Sequence, residues 1–135
     1  MPSEPAWLSA DDAIRINRKA VADTGENHAL LNLGLLESAI GRARNLFLYD
    51  QDADLVDMAV ALLLGIARNH PFEQGNKRTG FVAAQLFLDW NGYALETPDL
   101  VAFADTVIRT LTDKSLDGPF AEIVRLYCIP HDLIR

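Results

Sequence analysis

One short segment organises the chain, and it reads His70-Pro71-Phe72-Glu73-Gln74-Gly75-Asn76-Lys77-Arg78-Thr79-Gly80. Backbone N–H groups at the start of a helix, together with Lys and Arg side chains, bind anions such as phosphate. A histidine beside such a site can accept the proton of an attacking hydroxyl. The segment therefore indicates transfer of a phosphate-containing group from a nucleotide to a protein hydroxyl.

Apolar residues at helical spacing lie on both sides of this segment. A helix that begins after Asp54 has a broad apolar face, which predicts a buried central helix. It should end near Asn69, because the proline after His70 disfavours helical dihedrals at the histidine. A second helix is predicted from Thr79 to Trp90, before the stop signal Asn91-Gly92. The segment is thus expected to form a loop between two core helices, with its cations at the start of the second.

The remaining sequence predicts four further helices. The expected signals are a Ser9 N-cap with Asp12 as its capping-box partner, a helix start near Asn32 or Gly34 followed by a loop over 45–53, a Thr97 N-cap with Pro98, and an apolar face from Phe120 to Tyr127. The inward-facing residues are expected to include Leu35, Leu100, Ala104 and Ile108. A short extended piece is expected at Tyr93–Leu95. The fold class is therefore predicted to be all-α, a compact bundle of about six helices around the central helix–loop–helix.

Composition narrows the classes of function. A chain of 135 residues that is half hydrophobic is expected to form one globular domain. The formal net charge of −7 opposes non-specific binding of nucleic acid. The single cysteine, Cys128, excludes an internal disulfide, and no apolar run is long enough to span a bilayer. We therefore expect a cytoplasmic protein with neither nucleic-acid nor membrane partners.

The segment resembles the signature of the Fic/Doc (Fido) family, which reads His-x-Phe-x-acid-Gly/Ala-Asn-Gly/Lys-Arg. The matching residues are His70, Phe72, Gly75, Asn76, Lys77 and Arg78. The sequence from Leu35 to Arg42, the helix before His70, and the run from Phe87 to Tyr93 also look like the Doc (death-on-curing) branch. The resemblance covers most of residues 8–127, and it implies one Fido domain over 1–135 with its core at about 8–127.

The resemblance also implies a role for each matching residue. His70 would be the general base that deprotonates the target hydroxyl, and Gly75 and Asn76 would belong to the loop that binds phosphate. Arg78 would pair with phosphate oxygens and stabilise charge in the transition state. Phe72 would anchor the loop in the core and so support the site structurally.

Two positions bear on the reaction. Lys77 stands where members that transfer AMP usually have glycine, and the Doc branch, which has lysine, is associated with phosphoryl transfer from ATP. Fic-type AMP transfer (AMPylation) remains an alternative, which Gly75 favours. Gln74 replaces the family's acid, which holds Mg²⁺. The amide oxygen of Gln74 or the carboxylate of Glu73 would then have to bind the Mg²⁺ that ATP brings. This departure keeps open a third interpretation, a catalytically weak domain that binds nucleotide or protein.

The Doc branch further implies partners. Doc-type proteins resemble toxin halves of bacterial toxin–antitoxin pairs, so we expect an antitoxin that folds onto the toxin. We also expect a bacterial cytosolic protein as the target, with translation factors as the leading candidates. The family's inhibitory pattern, Ser/Thr-x-x-x-Glu-Gly/Asn, is absent from the chain. We therefore expect either no regulation within the chain or silencing by a separate antitoxin. No function is expected for His28 or His131.

Overall fold

The structure is a computed structural model that describes residues 3–134. It contains six α-helices, two short strands and two 3₁₀ helices, and none of its helices is both long and apolar enough to cross a membrane. The elements are α1 (Ala10–Thr24), α2 (Leu33–Tyr49), α3 (Leu55–Asn69), α4 (Asn76–Trp90), β1 (Tyr93–Leu95), α5 (Leu100–Thr112), a 3₁₀ helix (Lys114–Leu116), α6 (Asp117–Leu126), β2 (Cys128–Pro130) and a second 3₁₀ helix (His131–Leu133). The predicted all-α bundle of six helices is confirmed.

Helix α3 forms the centre of the bundle. Most of its residues are buried, and it packs between α2 on one side and α4 on the other. Small residues make the approach close on both sides. A Cβ added to Gly65 would lie 3.2 Å from the Cβ of Ala39 in α2, and one added to Gly80 would lie 2.7 Å from the carbonyl oxygen of Leu63. The positions of the end of α3 and the start of α4 are therefore fixed by backbone packing.

A two-stranded sheet closes the end of the bundle away from the loop between α3 and α4. β1 pairs antiparallel with β2, so that Tyr93 faces Pro130 and Leu95 faces Cys128. The extended piece at Tyr93–Leu95 is as predicted, whereas its partner strand was not predicted. This pairing ties the end of α4 to the end of α6.

The helix starts that rest on local capping are confirmed. Ser9 and Asp12 form a complete capping box at α1, and Asp54 forms a second one with Asp57 at α3. Asn32 caps α2 by accepting from the backbone N–H of Leu35. Each cap satisfies N–H groups that have no partner within the helix.

Other predicted boundaries were wrong. The loop expected over 45–53 is helical as far as Tyr49, because Leu46 and Phe47 continue the apolar face of α2, and the Phe47 ring packs edge-on against Trp7. Helix α5 begins at Leu100 with Asp99 as its cap, not at Thr97 with Pro98, because the Asp99 carboxylate accepts from the N–H of Ala102.

The inward face of α5 was also predicted too broadly. Leu100 and Ile108 are 62% and 49% exposed, and Ala104 is exposed as well. Phe103 and Val107 are buried, so only one narrow side of α5 meets the bundle. Leu35, in the first turn of α2, is 40% exposed as well.

We predict that Gly80→Ala destabilises the protein by about 1–3 kcal/mol, because a methyl group 2.7 Å from the Leu63 carbonyl oxygen forces α3 and α4 apart. Gly41→Ala is the matched control, since Gly41 also lies within a helix but has no atom within 4 Å of an added Cβ. That variant should be more stable by about 0.5–1 kcal/mol. Urea unfolding measures both, and a Gly80→Ala protein as stable as the parent would contradict the packing.

Candidate active site

His70 lies immediately after α3, as its place before a proline predicted. It caps the helix in the left-handed conformation, with φ 49° and ψ 53°, and it is exposed. It has the one positive φ outside glycine in the part of the chain that the structure describes. Such backbone geometry costs free energy and is concentrated at functional sites. The preceding residue, Asn69, donates to the carbonyl oxygen of Leu35 at 2.9 Å, which fixes the histidine on a firm support.

Phe72 and Asn76 lock the first half of the loop. The Asn76 side-chain oxygen accepts from the backbone N–H of Phe72 at 3.0 Å, and its amide donates to the carbonyl oxygen of Phe72 at 2.8 Å. Phe72 is buried, as its predicted anchoring role requires. The Asn76 side chain is thus engaged within the loop, while its backbone N–H lies at the start of α4.

Gly75 lies at the turn into α4 and needs to be glycine for two reasons. Its φ is +75°, in the left-handed region that side chains rarely adopt. An added Cβ would also lie 3.0 Å from a methyl group of Val21 and 3.2 Å from the amide nitrogen of Asn17, both in α1. The loop therefore packs closely against α1.

Helix α4 begins at Asn76, three residues earlier than predicted, so Lys77 and Arg78 lie in its first turn and both are exposed. Side-chain caps begin helices α1, α2, α3 and α5, whereas α4 and α6 begin without one. Uncapped N–H groups, the positive end of the helix dipole and two cations thus coincide at one place. This arrangement can hold a phosphate group next to the exposed His70.

Arg78 already has partners in the structure. Its guanidinium donates to the carbonyl oxygen of Ala20 at 2.7 Å and to the hydroxyl of Thr24 at 3.3 Å, and it forms an ion pair with Glu26. Glu26 also accepts from the Thr24 hydroxyl. The hydrogen bond from Thr24 and, to a smaller extent, the interaction with Arg78 hold the pKa of Glu26 below its usual range. The carboxylate is therefore ionised at neutral pH.

The sequence did not reveal the contact between Glu26 and Arg78. Glu26-Asn27 could form the last two positions of the family's inhibitory pattern, but Ala22 stands where that pattern has Ser or Thr. The carboxylate comes from the turn after α1. A glutamate therefore reaches the loop arginine although the sequence pattern is absent.

The two candidate metal ligands differ from a typical magnesium site. Glu73 and Gln74 are both exposed, and the backbone oxygen of Gln74 is engaged by Asn17. Within residues 3–134 no group of three or more His, Cys, Asp or Glu side chains could hold a metal ion. Mg²⁺ usually takes one or two carboxylates in addition to phosphate oxygens. The donors present therefore fit a protein-held Mg²⁺ poorly, and any such ion would have to be held mainly by the nucleotide.

Two residues beside the loop were missed or dismissed by sequence reasoning. Asn17 is fully buried and donates to the backbone oxygen of Gln74, and His28, expected to have no function, is hydrogen-bonded to Asn17. A signal for Asn17 was present, because it lies at the inward helical position between Ala13 and Val21. A polar residue at a core position usually has a specific hydrogen-bonding role.

Comparison with known proteins agrees with this arrangement. A model of the Fic/DOC family matches residues 7–88, which is more than half of the chain and includes the whole segment from His70 to Gly80. The chain belongs to the Fic/DOC family. Its fold and the position of its signature loop are therefore those that the sequence predicted.

Two relatives place this Fic/DOC protein in the Doc branch. It is 28% identical over 119 residues to a protein named "Protein kinase doc" from Escherichia phage P1, covering 87% of this chain and 92% of the relative. It is 38% identical over 93 residues to a protein named "Toxin Doc" from Mycolicibacterium smegmatis, covering 67% of this chain and 72% of the relative.

We predict that Glu26→Gln raises the affinity of this Fic/DOC protein for inorganic pyrophosphate, because the anion no longer competes with a carboxylate for Arg78. The expected gain is only roughly two- to fivefold, because a partly exposed ion pair is weak. Calorimetric titration without metal measures the change. Glu73→Gln removes the same charge from the neighbouring loop but breaks no ion pair given by the structure, so it controls for general electrostatics. Equal gains in both variants would contradict a specific competition.

Proposed function

We propose that this chain is a Doc-like toxin that transfers a phosphoryl group from ATP to a hydroxyl of a bacterial cytosolic protein. The observation that carries the proposal is the placement of an exposed histidine and an uncapped, doubly cationic helix start at the two ends of one short loop. The roles below follow from that placement together with family membership.

His70 is the general base in this proposal. Its side chain is exposed, so an incoming hydroxyl can reach it, while the backbone beneath it is fixed by α3 and Asn69. A positioned base contributes about 10²- to 10⁴-fold to such a transfer. The proton moves from the attacking hydroxyl to the imidazole as the oxygen attacks the γ-phosphorus. The bond between that phosphorus and the β–γ bridging oxygen breaks, and ADP leaves with the electron pair.

The start of α4 receives the phosphates of ATP. The backbone N–H groups of the first turn and the Lys77 ammonium attract the anion, and Arg78 exchanges Glu26 for phosphate oxygens. A guanidinium binds two oxygens at once and stabilises the charge of the transition state. Electrostatic stabilisation of this kind supplies most of the catalysis of phosphoryl transfer.

Phosphoryl transfer is favoured over AMP transfer by Lys77 and by the phage relative named as a kinase. In the sequence, Gly75 favours AMP transfer. Its φ of +75° and its contacts with Val21 and Asn17 now account for the glycine sterically. The identity of that residue therefore carries no information about which phosphate reacts.

A protein acceptor is supported by the surface beside His70. Leu31 donates its backbone N–H to Pro71 at 2.8 Å, so the segment before α2 runs along the loop. Three leucines there are strongly exposed, namely Leu31, Leu33 and Leu35 at 64%, 46% and 40%. An apolar surface next to the reacting group suits a polypeptide better than a small polar acceptor.

The toxin role and its partner are proposed from the relatives. The name of the mycobacterial relative identifies that protein as a toxin. We extend this role to the present chain, and with it an antitoxin protein that silences it. Mg²⁺ enters in this proposal as the ion bound to ATP, where it neutralises phosphate charge.

We predict that purified protein, incubated with bacterial lysate, Mg²⁺ and ATP labelled at either the α- or the γ-phosphate, labels a protein band from the γ-position only. Gel autoradiography reads the result. Label from the α-position would establish AMP transfer instead, and no label from either position would support the binding-module interpretation.

The controls for this assay are two histidine variants. His70→Ala should lower the labelling rate by about 10²- to 10⁴-fold through loss of the base. His131→Ala should leave it unchanged, since His131 pairs with Asp89 near the other end of α4. Full labelling by the His70→Ala protein would rule out the general-base role.

We predict that Gln74→Asp lowers the Mg²⁺ concentration needed for half-maximal labelling severalfold, because a carboxylate is a better ligand than an amide. Gln51→Asp adds the same charge in the exposed turn after α2 and should leave the Mg²⁺ requirement as it was. If Gln74→Asp behaves like Gln51→Asp, position 74 does not face the ion.

A further inference from the structure

Asn17 is a fully buried polar residue for which the proposed reaction has no use. It lies in α1, yet its side chain joins three other parts of the chain. Its amide nitrogen donates to the backbone oxygen of Gln74 at 2.8 Å and to the hydroxyl of Thr79 at 3.0 Å, and its oxygen lies 2.8 Å from Nδ1 of His28. Both the amide nitrogen and the oxygen of the Asn17 side chain are therefore engaged in hydrogen bonds.

The hydrogen-bond pattern fixes the orientation of the Asn17 amide. A backbone carbonyl can only accept, so the NH₂ group of Asn17 must face Gln74. The oxygen then faces His28, and Nδ1 of His28 must carry the proton that it donates.

His28 joins the two halves of the loop. Its ring lies 6.0 Å from the ring of Phe72, in the first half. The neighbouring residue, Ala29, accepts from the backbone N–H of Glu73 at 2.9 Å. Asn17 holds the second half of the loop through its bond to Gln74. The bond between His28 and Asn17 therefore connects the residues that hold the first half to the residue that holds the second half.

The bond to Gln74 determines where the next N–H group points. In a trans peptide the C=O and N–H groups point in opposite directions. Asn17 is fully buried, so the carbonyl of Gln74 points inwards and the N–H of Gly75 points away from α1. That N–H lies at the uncapped start of α4, beside the first-turn cations.

We propose that Asn17 and His28 are positioning residues that hold the peptide between Gln74 and Gly75 in the orientation that binds the anion. Asn17 anchors the carbonyl, and His28 keeps the Asn17 amide from rotating. Released from this anchor, the peptide can turn its carbonyl oxygen towards the anion, which it repels. The inference rests on the proposed function for the identity of the anion, a nucleotide phosphate, and goes beyond it in naming residues outside the signature.

The decisive variant is Asn17→Leu, which has nearly the same shape but carries no group that could donate to the Gln74 carbonyl. We expect its affinity for inorganic pyrophosphate and its rate of γ-phosphate labelling each to fall about tenfold or more. Thr79→Val is the matched control, since it also removes one bond of Asn17 in the core but leaves the Gln74 carbonyl anchored. We expect it to lower the melting temperature and to keep pyrophosphate affinity within about twofold of the parent.

A second pair of variants tests His28 at a partly exposed position. His28→Leu removes the donor to Asn17 and should weaken pyrophosphate binding severalfold, whereas His28→Asn retains an N–H donor at a similar position and should restore it. A direct measurement is the Gly75 amide signal in a ¹⁵N NMR spectrum, resolved among those of eight glycines. It should shift on addition of pyrophosphate in the parent protein and in His28→Asn, and much less in His28→Leu.

The outcomes separate this inference from the proposed function. Folded Asn17→Leu and His28→Leu proteins that bind pyrophosphate as the parent does would overturn the positioning role, as would a loss in Thr79→Val equal to that in Asn17→Leu. Parent protein that labels no target contradicts the proposed function alone, and pyrophosphate binding and the Gly75 signal then still decide the inference.

Discussion

The close approach of α3 and α4 is the constraint on which the rest of the structure depends. Gly80 brings the backbone of α4 against the Leu63 carbonyl, and Gly65 brings α3 close to Ala39 in α2. Contacts between backbones leave little freedom for one helix to slide or rotate against the other. The packing of these helices therefore fixes the two ends of the loop from His70 to Gly75 without any contribution from the side chains of the loop.

The loop itself is held at nearly every peptide. Asn76 binds both backbone groups of Phe72, the segment before α2 binds Pro71 and Glu73, and Asn17 binds Gln74. The conformational entropy of the loop is thus lost when the protein folds and not when a ligand binds. Donors that are already oriented are the kind of arrangement that stabilises developing charge most effectively. His70 remains exposed within this rigid frame, in a backbone conformation that the two flanking helices impose.

Sequence reasoning succeeded where a local signal determines structure. The capping residues Ser9 and Asp54 and the proline after His70 act through their immediate neighbours, so the helix ends they mark could be predicted. It failed where burial depends on which elements meet, as for Leu100 on the outer side of α5. The signature loop could be located from its own residues. Its attachments to Asn17 and Glu26 could not, because those residues come from a helix and a turn about fifty positions earlier in the chain.

The two cations of the loop stand in different electrostatic situations. Arg78 is held by the Ala20 carbonyl, Thr24 and Glu26, so its position is set by α1 and the turn that follows. Lys77 is exposed, and among the ion pairs of residues 3–134 it takes part in none. On a chain with a formal net charge of −7, an unpaired ammonium at a helix start is where an approaching anion is attracted first. Phosphate attracted there would then compete with Glu26 for Arg78. Under the proposed function, the chain therefore contains both a guanidinium that would bind phosphate and a carboxylate that would oppose that binding.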